Sequence, residues 1–167
     1  MQPLIRRVRE ADWAVARTLR LRALLDSPEA FASTWAEENA LADAQWQSRA
    51  RSNAEGRVTA GFFALLADME VGLAVGVRRD QAVELNAMWV APEARRHGAG
   101  RALIEAVAGW AREVGVDELV LEVTHTSEAA LALYRASGFS ALPDPGSCGT
   151  RRAPALKMRR LVGTECS

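Results

Sequence analysis

From Ala82 onward the chain reads strand, glycine loop, helix, strand, helix, and this order narrows the fold more than any other feature. The stretch AVELNAMWV (Ala82–Val90) is apolar and strand-like. PEARRHGAG follows, and then a helical stripe of Leu103, Val107, Trp110 and Val114 that Gly115 ends. DELVLEVT (Asp117–Thr124) alternates as a strand, and Ser127 to Ser137 reads as a second helix with Ser127 as N-cap and Gly138 as its stop. A strand that runs into a helix N-terminus holds anions well. The first-turn N–H groups lack helical partners and the helix dipole adds partial positive charge. Gly98 and Gly100 allow close backbone approach, and Arg95, Arg96 and Arg101 surround the loop with charge. The competing reading is a helix start with two incidental glycines on an arginine-rich surface. GxxxxGK[ST] and GxGxxG are both absent, so phosphate is suggested, but neither a nucleoside triphosphate nor a dinucleotide.

The segments before Ala82 fit a sheet with helices around it. Leu4 to Val8 reads as a short strand and Glu10 to Leu25 as a helix with Asp12 as its cap. Asp26-Ser27-Pro28 breaks that helix, and Ser27 with Pro28 suits a new helical turn. Phe31 to Leu41 is ambiguous, and Ala42 to Arg51 reads as a helix burying Trp46. Val58 to Ala67 and Val71 to Arg78 are strands joined by a turn at Asp68-Met69-Glu70, which with Ala82–Val90 suggests an antiparallel meander. Gly72 and Gly76 inside the second strand signal a bulge or a closely packed neighbour. Pro143 to Pro154 reads as a loop and Leu156 to Leu161 as a closing strand.

Composition excludes several classes. The 167 residues suit one domain spanning 1–167, and a formal net charge of +0 provides no field to recruit nucleic acid or an anionic membrane. Cys148 and Cys166, with His97 and His125, make no metal-ligand spacing. No metal, no membrane span and a reducing cytoplasm are therefore expected. The N-terminal MQPLIRRVRE has no apolar signal-peptide core.

Two motifs in sequence carry a family resemblance. Arg95-x-x-Gly98-x-Gly100, preceded by Val90-Ala91-Pro92, resembles the pyrophosphate loop of the GNAT superfamily of acetyl-CoA-dependent N-acetyltransferases. SEAALALYRASGF resembles that family's second segment through Ser127, Ala130, Leu133, Tyr134, Gly138 and Phe139, with Ser127 where the family usually has Asn. The element order from IRRVREADW to LKMRRL matches as well. The resemblance implies an α/β fold: a mixed, mostly antiparallel sheet of six to seven strands with a parallel-strand cleft and helices on both faces. It implies acetyl transfer from acetyl-CoA, without a metal, to a primary amine by direct attack in a ternary complex. A small-molecule acceptor is preferred; acylation of a protein N-terminus or lysine, and a non-catalytic acyl-CoA-binding regulator, are the alternatives. Family analogy makes a homodimer one possibility, and the sequence leaves the oligomeric state open.

Residue roles follow from the same resemblance. Tyr134, the only tyrosine, is the general acid at the departing sulfur; otherwise it is a core residue on its helix stripe. For the base there are two candidates, Glu84 first and Glu122 second, each also readable as a solvated strand residue. Glu84 lies eleven residues before Arg95, and Glu122 twelve before Tyr134. Met88, Trp89 and Val90 would supply the backbone that holds the pantetheine arm and the oxyanion. Arg95, Arg96, His97, Gly98, Ala99, Gly100 and Arg101 would hold the pyrophosphate, with Ser127 and Tyr134 completing the cofactor contacts. RLRALLDSPEAFASTWAEE is the candidate acceptor wall, where Trp35, Glu37 and Glu38 either receive a cationic amine or are ordinary helix residues. His125 follows the strand and either nears the cleft or lies on the surface.

Overall fold

A computed structural model describes residues 1–124, 127–143 and 155–163. His125, Cys148 and Cys166, and most of the loop read between Pro143 and Pro154, lie outside the described residues. The order is β1 (Leu4–Arg7), α1 (Trp13–Asp26), α2 (Trp35–Asn39), α3 (Asp43–Glu55), β2 (Thr59–Leu66), β3 (Met69–Arg78), β4 (Val83–Val90), α4 (Ala99–Glu113), β5 (Glu118–Thr124), α5 (Glu128–Ala136), β6 (Ser140–Ala141) and β7 (Ala155–Leu161). They build one seven-stranded sheet in the order β1-β2-β3-β4-β5-β7-β6. Every neighbouring pair is antiparallel except β4 and β5, which are parallel.

Helix α4 explains much of the core. Leu103, Ile104, Val107, Ala108, Trp110 and Ala111 fall on its buried side. Each large apolar side chain buried there contributes about 1.5–3 kcal/mol. The helix lies against the glycines of β3: a Cβ on Gly76 would sit 2.9 Å from the Trp110 ring and 3.0 Å from Val107. A Cβ on Gly72 would sit 2.9 Å from the Trp89 carbonyl oxygen. Both glycines are therefore close-approach positions, as the strand pattern suggested. On the other face α3 covers β2, where a Cβ on Gly61 would meet Asn53, and α1 packs against α3 and β3.

Three local expectations change. Asp12 does not cap α1. It ends a 3-10 turn from Glu10, and its Oδ2 accepts from the Arg9 N–H and from Arg6 Nη1, both at 2.7 Å. Ser27 and Ser127 stand at N-cap positions without a side-chain cap bond; Ser27 Oγ donates to Asp26 at 2.8 Å instead. The ambiguous stretch after Phe31 contains α2, started by a capping box. Glu37 N–H donates to Thr34 Oγ1 and Thr34 N–H to Glu37 Oε2.

The site is positioned by a fault in the sheet. β4 pairs with β5 only at Val83–Leu119 and Glu84–Val120. Beyond that point the two parallel strands separate. On its other side β4 pairs Asn86 with Val75 and Trp89 with Leu73, so it carries one residue more than β3 between those rungs. Ala87 takes up the excess with φ +53°, a left-handed conformation unusual for a residue with a side chain.

Candidate active site

A cavity of about 630 Å³ opens where β4 and β5 part. Leu85, Asn86, Ala87 and Met88 line it from β4, and Glu122, Val123 and Thr124 from β5. Ser127, Ala130 and Tyr134 close one side. The helical half contributes Arg20, Phe31, Glu38, Trp46 and Arg49. The glycines of β3 signalled an irregularity in this ladder, but its place at Ala87 was not legible, because nothing about an alanine announces a positive φ.

Tyr134 and Glu122 share this cavity; Glu84 does not line it. Glu84 instead accepts from Arg79 Nε at 3.3 Å. Glu122 lies 3.9 Å from Lys157 Nζ across the β5–β7 pair. Tyr134 is buried, with the Phe139 ring edge-on at 5.8 Å. Burial pushes its phenol pKa up to about 12, so it holds its proton at any physiological pH.

The loop residues divide by role. Gly98 is the N-cap of α4 at φ +83°, and a Cβ there would meet nothing within 4 Å. Its requirement is backbone conformation, and the space beside it is open. Gly100 differs: a Cβ would sit 2.9 Å from Leu133 Cδ2 and 3.3 Å from Met88. It lets α4 approach α5, the helix that carries Tyr134. Ala99 is buried in the first turn of α4. Arg95 is not a mobile charge. Its Nε donates to the Val90 carbonyl at 3.0 Å and its Nη2 to Asp26 Oδ2 at 2.6 Å. Trp89 is buried, and its Nε1 donates to the same Asp26 oxygen at 2.9 Å. Burial raises the Asp26 pKa, but the bonds from Trp89, Ser27 and Arg95 outweigh it and the net shift is downward. His97 Nδ1 sits 2.9 Å from the Arg95 carbonyl and 3.3 Å from that of Ala94, which holds the ring against the loop backbone. Arg96 holds φ +66° and, with Arg101, is exposed; among the described residues neither has an ion-pair partner.

The acceptor wall is rearranged relative to the sequence reading. Trp35 lies outside the cavity, and Glu37 is occupied in the α2 cap. Glu38 does line the cavity, but Arg20 and Arg49 hold it at 2.9 and 3.0 Å. Among the described residues no cluster of His, Cys, Asp and Glu is arranged to hold a metal, and no helix is long and apolar enough to cross a membrane.

Comparison with known proteins bears on the family and the fold. The model of the acetyltransferase (GNAT) family matches residues 16–139. N-acetyltransferase 8 of Homo sapiens is 32% identical over 78 residues, 47% of this chain and 34% of that protein. Aminoglycoside N(6')-acetyltransferase type 1 of Klebsiella aerogenes is 38% identical over 56 residues, 34% of this chain and 37% of that protein. The chain thus matches about a third of the length of these curated relatives. Among solved structures, a GNAT superfamily phosphinothricin acetyltransferase of Sinorhizobium meliloti, in complex with acetyl-CoA, superposes with TM-score 0.77 at 22% identity, over 98% of this chain and 90% of that one. At that identity the likeness concerns the fold.

Proposed function

Because this chain belongs to the acetyltransferase (GNAT) family, we propose that it is an acyltransferase that moves the acetyl group of acetyl-CoA to the primary amine of a small molecule, by direct attack in a ternary complex. One observation carries the proposal. The two parallel strands part beside a bulge, and Tyr134 and Glu122 line the cavity that opens there.

The chain suits an acyl-CoA on physical grounds. From Leu85 on, β4 has no ladder partner on the β5 side, so its backbone can pair with an extended amide chain. The open space at Gly98 and the free first-turn N–H groups of α4 suit the pyrophosphate, with Arg96 and Arg101 near it. Acetyl-CoA, when bound, supplies an activated carbonyl on a thiol leaving group. Ala87 and Met88 bring backbone that has left the regular ladder to the reacting end. Glu122 draws a proton from the incoming ammonium, directly or through water. Tyr134 donates a hydrogen bond to the departing sulfur. Outright transfer from a phenol near 12 to a thiolate whose acid lies near 8.5 runs uphill at about 1.4 kcal/mol per unit. Stabilisation by a shared proton is the role that fits.

An amine screen that follows free CoA release tests the proposal. Release is expected with small primary amines and not with peptides. Release with peptide N-termini or lysines alone would move the acceptor to protein. Tight acetyl-CoA binding with no release to any amine would make the chain a regulatory binding module.

A further inference from the structure

The part of the cavity wall built by the helical half carries charge that an incoming amine does not need. Arg20 of α1 and Arg49 of α3 line it, with a single carboxylate, Glu38, between them. Glu38 is fully engaged. Arg20 gives it Nε at 3.2 Å to both oxygens and Nη2 at 2.9 Å, and Arg49 adds Nη1 at 3.0 Å. Burial raises the Glu38 pKa; the bonds from Arg20 and then Arg49 more than reverse this, so it stays ionised. Two guanidinium groups against one carboxylate leave this wall net positive. A cationic ammonium group is repelled there and an anion is attracted.

The donors left over point the same way. Arg49 lines the cavity, gives Glu38 one N–H and is half exposed, so the rest of its fork is open to an acceptor there. A carboxylate is acceptor-only and matches the planar arginine fork. The guanidinium groups are also held in place. Arg20 lies 4.6 Å from the Phe31 ring centroid and Arg49 4.9 Å from that of Trp46. Elsewhere the lining includes Leu73, Val75, Val77 and Leu85.

We infer that the acceptor is a free amino acid with an apolar side chain. Its amine sits at Glu122 and Tyr134, and its carboxylate at Arg20 and Arg49. This rests on the acetyl-transfer reading and specifies its substrate. The amino nitrogen bonds to the acetyl carbon as the carbon–sulfur bond breaks. Sulfur leaves with the electron pair, the nitrogen gives up its surplus proton, and the products are an N-acetyl amino acid and CoA.

The test titrates N-acetyl-phenylalanine, N-acetyl-leucine and N-acetyl-methionine into the CoA-saturated protein by calorimetry. Their carboxamides and N-acetylphenethylamine are run beside them. At least one carboxylate should bind about tenfold or more tighter than its amide. Arg49→Gln should remove most of that difference, and Arg20→Lys, which keeps the charge but loses the fork, part of it. Melting curves check that both variants fold. Equal affinity for acids and amides, or no binding by any acid, overturns the inference. The parent reading is read separately, from acetyl-CoA binding and CoA release. Release to amines without a carboxylate, with no preference for the amino acid, sinks the substrate assignment and leaves acetyl transfer standing. Failure to bind acetyl-CoA sinks both.

Discussion

Arg95 is bound to Asp26, with Nη2 2.6 Å from Oδ2, across the junction between the glycine loop and the end of α1. With the bond from Arg95 Nε to the Val90 carbonyl, this ties the loop to the strand before it. Arg95 therefore shapes the loop. Asp26→Ala and Arg95→Ala should each weaken CoA binding roughly 3- to 10-fold, and the double variant by less than the two combined, because they share one contact while Asp26 also accepts from Trp89 and Arg95 also bonds Val90. Calorimetry on the four proteins decides it. A loss in Arg95→Ala far beyond that in Asp26→Ala would mean direct phosphate contact.

Gly100→Val should act on turnover more than on CoA affinity. The new side chain meets Leu133 and Met88 and displaces α5, the helix that carries Tyr134. Adding Leu133→Ala should restore part of kcat. Gly98→Ala has room but strains the backbone at φ +83°, at a cost of about 1–2 kcal/mol in stability. Equal loss of CoA affinity at both positions would refute the division of roles.

Glu122→Gln should remove or shift the acid limb of the kcat/KM profile, and Glu84→Gln should leave it in place. Glu122 lines the cavity and Glu84 does not. The reverse result transfers the role to Glu84.

Tyr134→Phe keeps the ring against Phe139 and removes the hydroxyl. Acetyl-CoA should still bind while turnover falls by about 10²–10³. The loss should shrink with a donor whose thiol is more acidic. Full turnover would make the tyrosine a packing residue.

Glu38 makes stability depend on pH. Its folded pKa lies below the ordinary 4.5, so near that value the unfolded chain binds more protons than the native one. The stabilisation is complete well above 4.5 and is lost as pH falls through the folded value. Urea unfolding from pH 7 to pH 3 should show this acid loss, and Glu38→Gln should flatten it. At pH 7 that variant should lose stability toward the low end of about 3–5 kcal/mol, because Arg49 is half exposed. An unchanged acid slope would show that the network does not hold Glu38 ionised.

What the sequence revealed was local. Leu103, Val107 and Trp110 fix the buried face of α4 by spacing alone, and Gly72 and Gly76 announce close neighbours by lacking side chains. The stretch after Phe31 stayed ambiguous by its apolar pattern, and the capping box Thr34-x-x-Glu37 that starts α2 went unread in it. The Arg20–Glu38–Arg49 cluster was not legible, because it joins three helices and no periodicity within one segment encodes it. Nor could spacing separate Glu84 from Glu122. Both sit between apolar residues on strands, and only the parting of those strands leaves one in the cavity and the other outside.

That parting also divides the sheet into two panels. β1 to β4 form one and β5, β7 and β6 the other, and in the backbone ladder only the rungs at Val83 and Glu84 join them. A molecule lying along the free edge of β4 works as a missing strand, so its arrival closes a seam as well as filling a site. Amide hydrogen exchange should then slow along Leu85–Val90 and Leu121–Thr124 together when acetyl-CoA binds, with much less change at the β1–β2 edge. The stability of the whole sheet becomes linked to the supply of the donor.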